Sequence, residues 1–322
     1  MPPRPLIVRL RNWVGDVVLG LPLLQRLQEA GYGLQLLGKA WARDLLAGHG
    51  WAVEPLAGTA RERIAQLRRL RAACAAADPG FTRRTNALVL PYSFSSALEM
   101  RLAGLRAMGY RHEGRGWLLQ APVARDASRH EMAIYWTLGS ALLGEPAPLP
   151  QRITLRPAPE HEAQVAVLRR QLGLQPGYVV VCPFVGGTFE KLDKRWPDFP
   201  RLVTEVLPPS GRTVLICPGP GEEEAIAERD FAGCRIVRGV GLGAYATLLR
   251  DAALVIANDT GPGHMAAAVG APLLSVLGPT DPARWRAVGP TVQTLQGQGG
   301  GWPALAEVAE RAAAVLAKTA RA

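Results

Sequence analysis

The residues best placed to do chemistry lie in the stretch Asn258-Asp-Thr-Gly-Pro-Gly-His264. An apolar run, Leu254-Val-Ile-Ala257, leads into it, and a small-residue segment follows from His264. A strand that ends in a polar, glycine-bearing turn and feeds a helix is suited to anions. The turn offers free N–H groups, and the helix N-terminus carries partial positive charge. Gly261 and Gly263 let a ligand approach the backbone closely. Asp259 and Thr260 stand where the N-cap is expected, and His264 falls in the first turn beside the N–H groups. Taken alone, the stretch serves an ordinary strand–turn–helix equally well. The segment Leu273-Leu-Ser-Val-Leu-Gly-Pro-Thr-Asp-Pro282 adds a second apolar strand and a second polar turn. Two such turns delivered to one sheet edge build a ligand crevice.

Three further places carry candidate groups. Asp16 follows Gly15 in the turn after the first apolar run, where a carboxylate serves either as a general base or as a helix N-cap. The loop Pro183–Pro197 follows a strand and contains Lys191, Lys194 and Arg195. Pro218-Gly-Pro-Gly-Glu-Glu-Glu224 begins a helix, and its acids suit the helix dipole without any ligand. The chain has no GxxxxGK[ST] phosphate loop, no HExxH and no Asp-x-Asp pair to hold a metal–diphosphate. A diphosphate leaving group would therefore be neutralised by cations and helix N-termini, with no metal expected.

The elements that must position these groups follow an alternating plan. The first half reads as strands at 6–10, 33–37, 51–56 and 86–90, with helices at 17–30, 40–48 and 61–77 between them. Prolines cluster at 146, 148, 150, 157 and 159, a linker composition. The second half restarts with helix 160–172 and strand 178–182. It continues through helix 198–207, strand 213–217, helix 222–230, strand 234–237 and helix 243–251 to the opening stretch. A final helix at 303–319 is a candidate to pack back on the first domain. The alternation predicts an α/β protein with parallel sheets and right-handed crossovers, divided into domains 1–150 and 151–322.

The chain has 322 residues, a hydrophobic content of 48% and a net charge of +10, and only four of its 37 basic residues are lysine. That length suits two domains. Such charge implies acidic partners, whether phosphorylated substrates, an anionic membrane face or nucleic acid, unless it is a bias of composition alone. Four cysteines without CxxC spacing fit buried thiols in a reducing compartment. No signal-peptide core or apolar run of membrane-spanning length is present, which predicts a cytoplasmic protein.

The motifs Asn258–His264 and Gly278-Pro-Thr-Asp-Pro282 resemble the signature of glycosyltransferase family 9, the lipopolysaccharide heptosyltransferases. The resemblance implies the glycosyltransferase B (GT-B) fold, two Rossmann-like domains facing across a cleft, the first binding acceptor and the second the nucleotide-sugar donor. Within Trp13-Val-Gly-Asp16, it makes Asp16 the base that deprotonates the acceptor hydroxyl. It places Lys194, before Arg195-Trp-Pro197, on the donor diphosphate. Thr188 corresponds to a phosphate-binding hydroxyl and Glu222 to the acid that holds the ribose. Asp259, Thr260, Gly261, Gly263 and His264 complete the donor side. Val89-Leu-Pro-Tyr-Ser-Phe-Ser-Ser-Ala97 and Met108–Trp117 resemble the type II branch of the family, with Tyr92 and Ser95 departing from its usual asparagine and lysine. Ser93, Arg111 and Arg115 are the acceptor-side candidates in these segments.

The implied reaction is inverting, metal-independent transfer of heptose from ADP-heptose to a lipid A–core acceptor. The implied protein is a monomer, peripheral on the anionic inner face of the inner membrane. The competing readings are another nucleotide-sugar enzyme of the same fold, such as a 2-epimerase, and a nucleic-acid binder. The binder has only charge in its favour, without a zinc finger, RNP or basic-helix signature, so no nucleic acid is expected.

Overall fold

The computed structural model describes residues 2–185, 193–222, 226 and 231–319. The chain forms two compact units, Met1–Pro150 and Gln151–Ala322. Each is a six-stranded, wholly parallel sheet with helices on both faces, the pattern expected of the GT-B fold.

In the first unit the strands are β1 (Arg4–Arg9), β2 (Tyr32–Gly38), β3 (Ala52–Pro55), β4 (Ala87–Val89), β5 (Ala107–Tyr110) and β6 (Ala121–Val123). They lie in the order β3-β2-β1-β4-β5-β6. The chain therefore winds outward in one direction from β1 and in the other from β4. The crevice of such a sheet opens where the direction reverses, beyond the C-terminal ends of β1 and β4. Apart from the arginines at the ends of β1, with Arg4 exposed, both strands are apolar and buried, as parallel strands covered on two faces must be. Successive side chains point to opposite faces. Ile7, Ala87 and Val89 face Leu67, Leu70 and Cys74 of helix Ala60–Ala77 and Met100 of helix Phe94–Leu102. Thr59 caps the longer of these helices reciprocally with Glu62.

The expected helix 17–30 is two helices, Val14–Leu19 and Leu21–Glu29, joined at Gly20 ahead of Pro22. Strands β5 and β6 and helices Phe94–Leu102 and Glu131–Leu143 lack a clear periodic signal. The strands are short, and the second helix is apolar around much of its girth.

The second unit repeats the winding. Strands β7 (Val179–Cys182), β8 (Val214–Ile216), β9 (Cys234–Ile236), β10 (Leu254–Asn258), β11 (Leu273–Leu277) and β12 (Val292–Gln296) lie in the order β12-β11-β10-β7-β8-β9. Its reversal lies between β7 and β10, which pair directly from Leu254 opposite Val179 to Ala257 opposite Cys182. One face packs Val181, Ile216, Ile256 and Val276 against Trp196, Phe199 and Leu202. The segment read as a regular helix over 198–207 is one α-turn, Phe199–Arg201, followed by a π-helical stretch over Leu202–Val206.

The final helix, Leu305–Thr319, belongs to this second core and not to the first unit. Its periodic apolar face, Val308, Ala312, Val315 and Leu316, is buried with the same residues of β10 and β11. The expected helix 222–230 lies outside the described residues except at Glu222 and Ile226. Among the described residues no helix is long and apolar enough to cross a membrane.

Candidate functional site

The turn after β10 is held from both sides by Asn258. This side chain is fully buried. Its Oδ1 accepts the Trp196 backbone N–H at 3.0 Å, and its Nδ2 donates to the Pro183 carbonyl at 2.9 Å. One amide thus ties the exit of β7 and the Lys194-Arg-Trp196 segment to the end of β10. An unpaired buried amide costs free energy, so both bonds must form together for the fold to keep it. Trp196 is itself fully buried, edge-on to Phe199 at 5.2 Å, and donates Nε1–H to the Pro303 carbonyl at 3.1 Å. This anchor sets where Lys194 begins.

Lys194 Nζ lies 2.7 Å from Asp259 Oδ2, and His264 Nε2 lies 3.5 Å from Asp259 Oδ1. Burial raises the carboxyl of Asp259, but contact with His264 and the charge of Lys194 outweigh it, so the group is held below its ordinary range. The helix Gly261–Val269 starts three residues earlier than the run from His264 suggests. Thr260 occupies the N-cap position with extended backbone but makes no side-chain cap bond. The first N–H groups of a helix have no partner within it, and Pro262 has no N–H. A Cβ on Gly263 would meet the Asn258 carbonyl at 3.2 Å, so glycine fits the close passage of helix start and strand end. His264 is buried, and its Nδ1 has no hydrogen-bond partner among the described residues. A cation, a histidine and an uncapped helix N-terminus therefore converge at the reversal point of this sheet.

Glu222 is half-buried and accepts the Gly219 N–H at 2.7 Å, closing its own loop after β8. Burial raises its carboxyl above the ordinary range, with the Gly219 bond acting the other way. Thr188 lies outside the described residues. The thiols of Cys182 and Cys217 are both raised by burial, that of Cys182 to about 12, and Cys182 Sγ lies 3.1 Å from the Tyr245 hydroxyl. Such thiols are poor nucleophiles.

In the first unit, Asp16 lies beyond the end of β1 at that sheet's reversal point. It does not cap its helix. Trp13 holds the N-cap position, and Asp16 is the third helical residue. The Tyr135 hydroxyl donates to Asp16 Oδ1 at 3.0 Å, and Arg11 Nε lies 3.5 Å from Oδ2. The Tyr92 ring, just after β4, is covered by the Arg11 and Arg125 guanidinium groups, each 4.3 Å from its centroid. Tyr92 donates to Glu131, whose other oxygen is 3.4 Å from Arg125. Ser93 is exposed at the start of helix Phe94–Leu102, and Arg111 is exposed with its stem against Gly116.

Arg115 requires a correction. It was an acceptor candidate, but it has no solvent exposure. It donates to the carbonyls of Tyr110, Pro91 and Ser93 and to Ser96 Oγ. Burial pulls its guanidinium down to about 10. Arg115 shapes the 91–96 turn from beneath and does not reach a ligand at the surface. Local spacing could not separate it from Arg111, because burial is decided by the fold around it. The spacing of residues assigns no role to Arg11 or Tyr135, and it places Asn258 in the turn without showing that it is the anchor. Asn258 adjoins Asp259 and could have been found there. Tyr135 is 119 residues from Asp16 and gives no local signal.

The model of glycosyltransferase family 9 (heptosyltransferase) matches residues 82–308. The chain belongs to that family. Lipopolysaccharide heptosyltransferase 2 of Escherichia coli K12 is 27% identical over 294 residues, covering 84% of this chain and 82% of that protein. Lipopolysaccharide heptosyltransferase 3 of the same strain is 30% identical over 130 residues, and this match spans 37% of each chain. Among solved structures, that of E. coli ADP-heptose lps heptosyltransferase II superposes with a TM-score of 0.79 at 24% identity, covering 98% of this chain and 99% of that one. The family match contains the whole of the Asn258 anchor, Lys194, Asp259 and His264, but begins after Asp16. For this family 9 member the first-unit carboxylate rests on its own geometry.

Proposed function

We propose that this family 9 member transfers heptose from ADP-heptose to the inner core of lipopolysaccharide, onto an acceptor that already bears one heptose. The observation that carries the type II reading is the extent of the match to heptosyltransferase 2, 84% of the chain against 37% for heptosyltransferase 3. In this reading the second unit holds the donor. Lys194, the first-turn N–H groups of helix Gly261–Val269 and Nδ1 of His264 take the diphosphate, and Glu222 takes the ribose. Asp259 restrains Lys194 and His264. Thr188 adds a phosphate contact in this proposal.

The acceptor oxygen attacks the anomeric carbon as Asp16 accepts its proton. The bond from that carbon to the diphosphate oxygen breaks, and the electron pair leaves with ADP. General base catalysis is typically worth ~10²–10⁴-fold. Preorganised charge on the leaving group adds ~10²–10³-fold per donor. Ser93 and Arg111 stand on the acceptor side. Cations and helix N–H groups supply the positive charge, so the reaction needs no metal. The enzyme acts as a monomer on the cytoplasmic face of the inner membrane, held peripherally by its net charge of +10.

The test is transfer from ADP-heptose, with EDTA present, to truncated core lipids with and without the first heptose. Preference for the heptose-bearing lipid is expected. Equal or better use of the heptose-free lipid would remove the type II assignment, and activity restored only by Mg²⁺ would remove metal independence.

A further inference from the structure

Tyr135 lies on helix Glu131–Leu143, is fully buried, and directs its hydroxyl at Asp16 Oδ1. Arg11 faces the second oxygen. The surrounding ionisable groups are Arg11 from the turn after β1, Tyr135 and Glu131 from helix Glu131–Leu143, Tyr92 after β4 and Arg125 after β6. Glu131 accepts from Tyr92 and Arg125, and its charge also acts on Arg11 and Tyr135. Burial and then the charge of Asp16 hold the Tyr135 phenol well above its ordinary range, so it remains a donor throughout.

We propose that Tyr135 is a positioning residue for the transfer reaction: its hydroxyl, with the charge of Arg11 beside the opposite oxygen, fixes the plane of the Asp16 carboxylate that takes the acceptor proton. The inference rests on Asp16 being the base. The Tyr135 hydroxyl takes one of the roughly four acceptor directions of a carboxylate, and Arg11 attracts the second oxygen by its charge, so the group is oriented from both sides. Hydrogen bonds to the charged form also lower a carboxyl pKa. Tyr135 neither takes nor gives a proton. It holds a side chain that would otherwise sample several rotamers at a helix start, which matters because misplacement by about 1 Å costs on the order of 10²-fold.

The experiment measures kcat/KM for the heptose-bearing acceptor against pH in the full-length wild type and in Tyr135→Phe, with thermal melts to establish folding. The substitution keeps the ring and removes one O–H. Loss of a donor to the carboxylate raises its pKa, so the acid limb moves to higher pH by about one unit. The plateau rate falls about tenfold or more, while KM for ADP-heptose is unchanged. If Tyr135→Phe does not fold, Arg11→Gln, which acts on the other oxygen, is read for the same upward shift. An unmoved acid limb in the folded variant overturns the inference, even if the rate falls, because a merely structural role lowers rate without moving the limb. Asp16→Asn runs in parallel. If it stays active the base reading itself has failed, and if it is inactive with the limb unmoved only the role of Tyr135 has.

Discussion

Lys194 and Asp259 meet as a largely buried ion pair at 2.7 Å, joining the segment after β7 to the turn after β10. The pair spans the point where the second sheet reverses direction, so the cation proposed for the donor diphosphate is positioned by the carboxylate beneath it.

Lys194→Ala is expected to weaken ADP binding by about 1.5–3 kcal/mol, the range of a hydrogen bond to a charged group. Calorimetric titration with ADP checks this. Unchanged affinity would take Lys194 out of the donor site.

The same pair makes a prediction about acid stability. Burial opposes the ionised form of Asp259, yet His264 and Lys194 hold its carboxyl below the ordinary 3.8. A depressed carboxyl stabilises the folded state above its unfolded pKa, and that contribution is lost as pH falls through the folded value. Asp259→Asn should therefore lower Tm at pH 7 and lose less further stability than wild type between about pH 4 and the lower folded pKa. Parallel Tm curves for the two proteins would contradict a depressed carboxyl.

Asp16→Asn should reduce transfer by ~10²–10⁴-fold while leaving ADP affinity intact. Turnover within tenfold of wild type would show that Asp16 is not the base.

Arg115→Ala should act through stability. It leaves the carbonyls of Pro91, Ser93 and Tyr110 without their buried donor. An unsatisfied buried polar group costs about 1–3 kcal/mol, so Tm should fall clearly, by several degrees. Arg111→Ala, at an exposed position, should leave Tm nearly unchanged and weaken acceptor use. If the two variants show the same Tm, the distinction between them does not hold.

The sequence by itself determined the alternation of strands and helices, the polar turns after β10 and β11, and the placing of Asp16 and Lys194 just beyond strand ends. These are local properties: apolar runs of strand length, glycines at turns and a lysine directly before Arg195-Trp-Pro197. The core of the first unit was less legible, since strands of three or four residues such as β5 and β6 carry little periodicity. Only the tertiary structure decided which loops share a crevice, because that depends on the strand orders β3-β2-β1-β4-β5-β6 and β12-β11-β10-β7-β8-β9. It decided that Arg115 is buried while Arg111 is exposed, four positions away in the same segment. It also placed the final helix in the second core and brought Tyr135 to Asp16. Burial and long-range hydrogen bonds are properties of the packed chain, and no spacing of residues along the sequence encodes which distant hydroxyl reaches a given carboxylate.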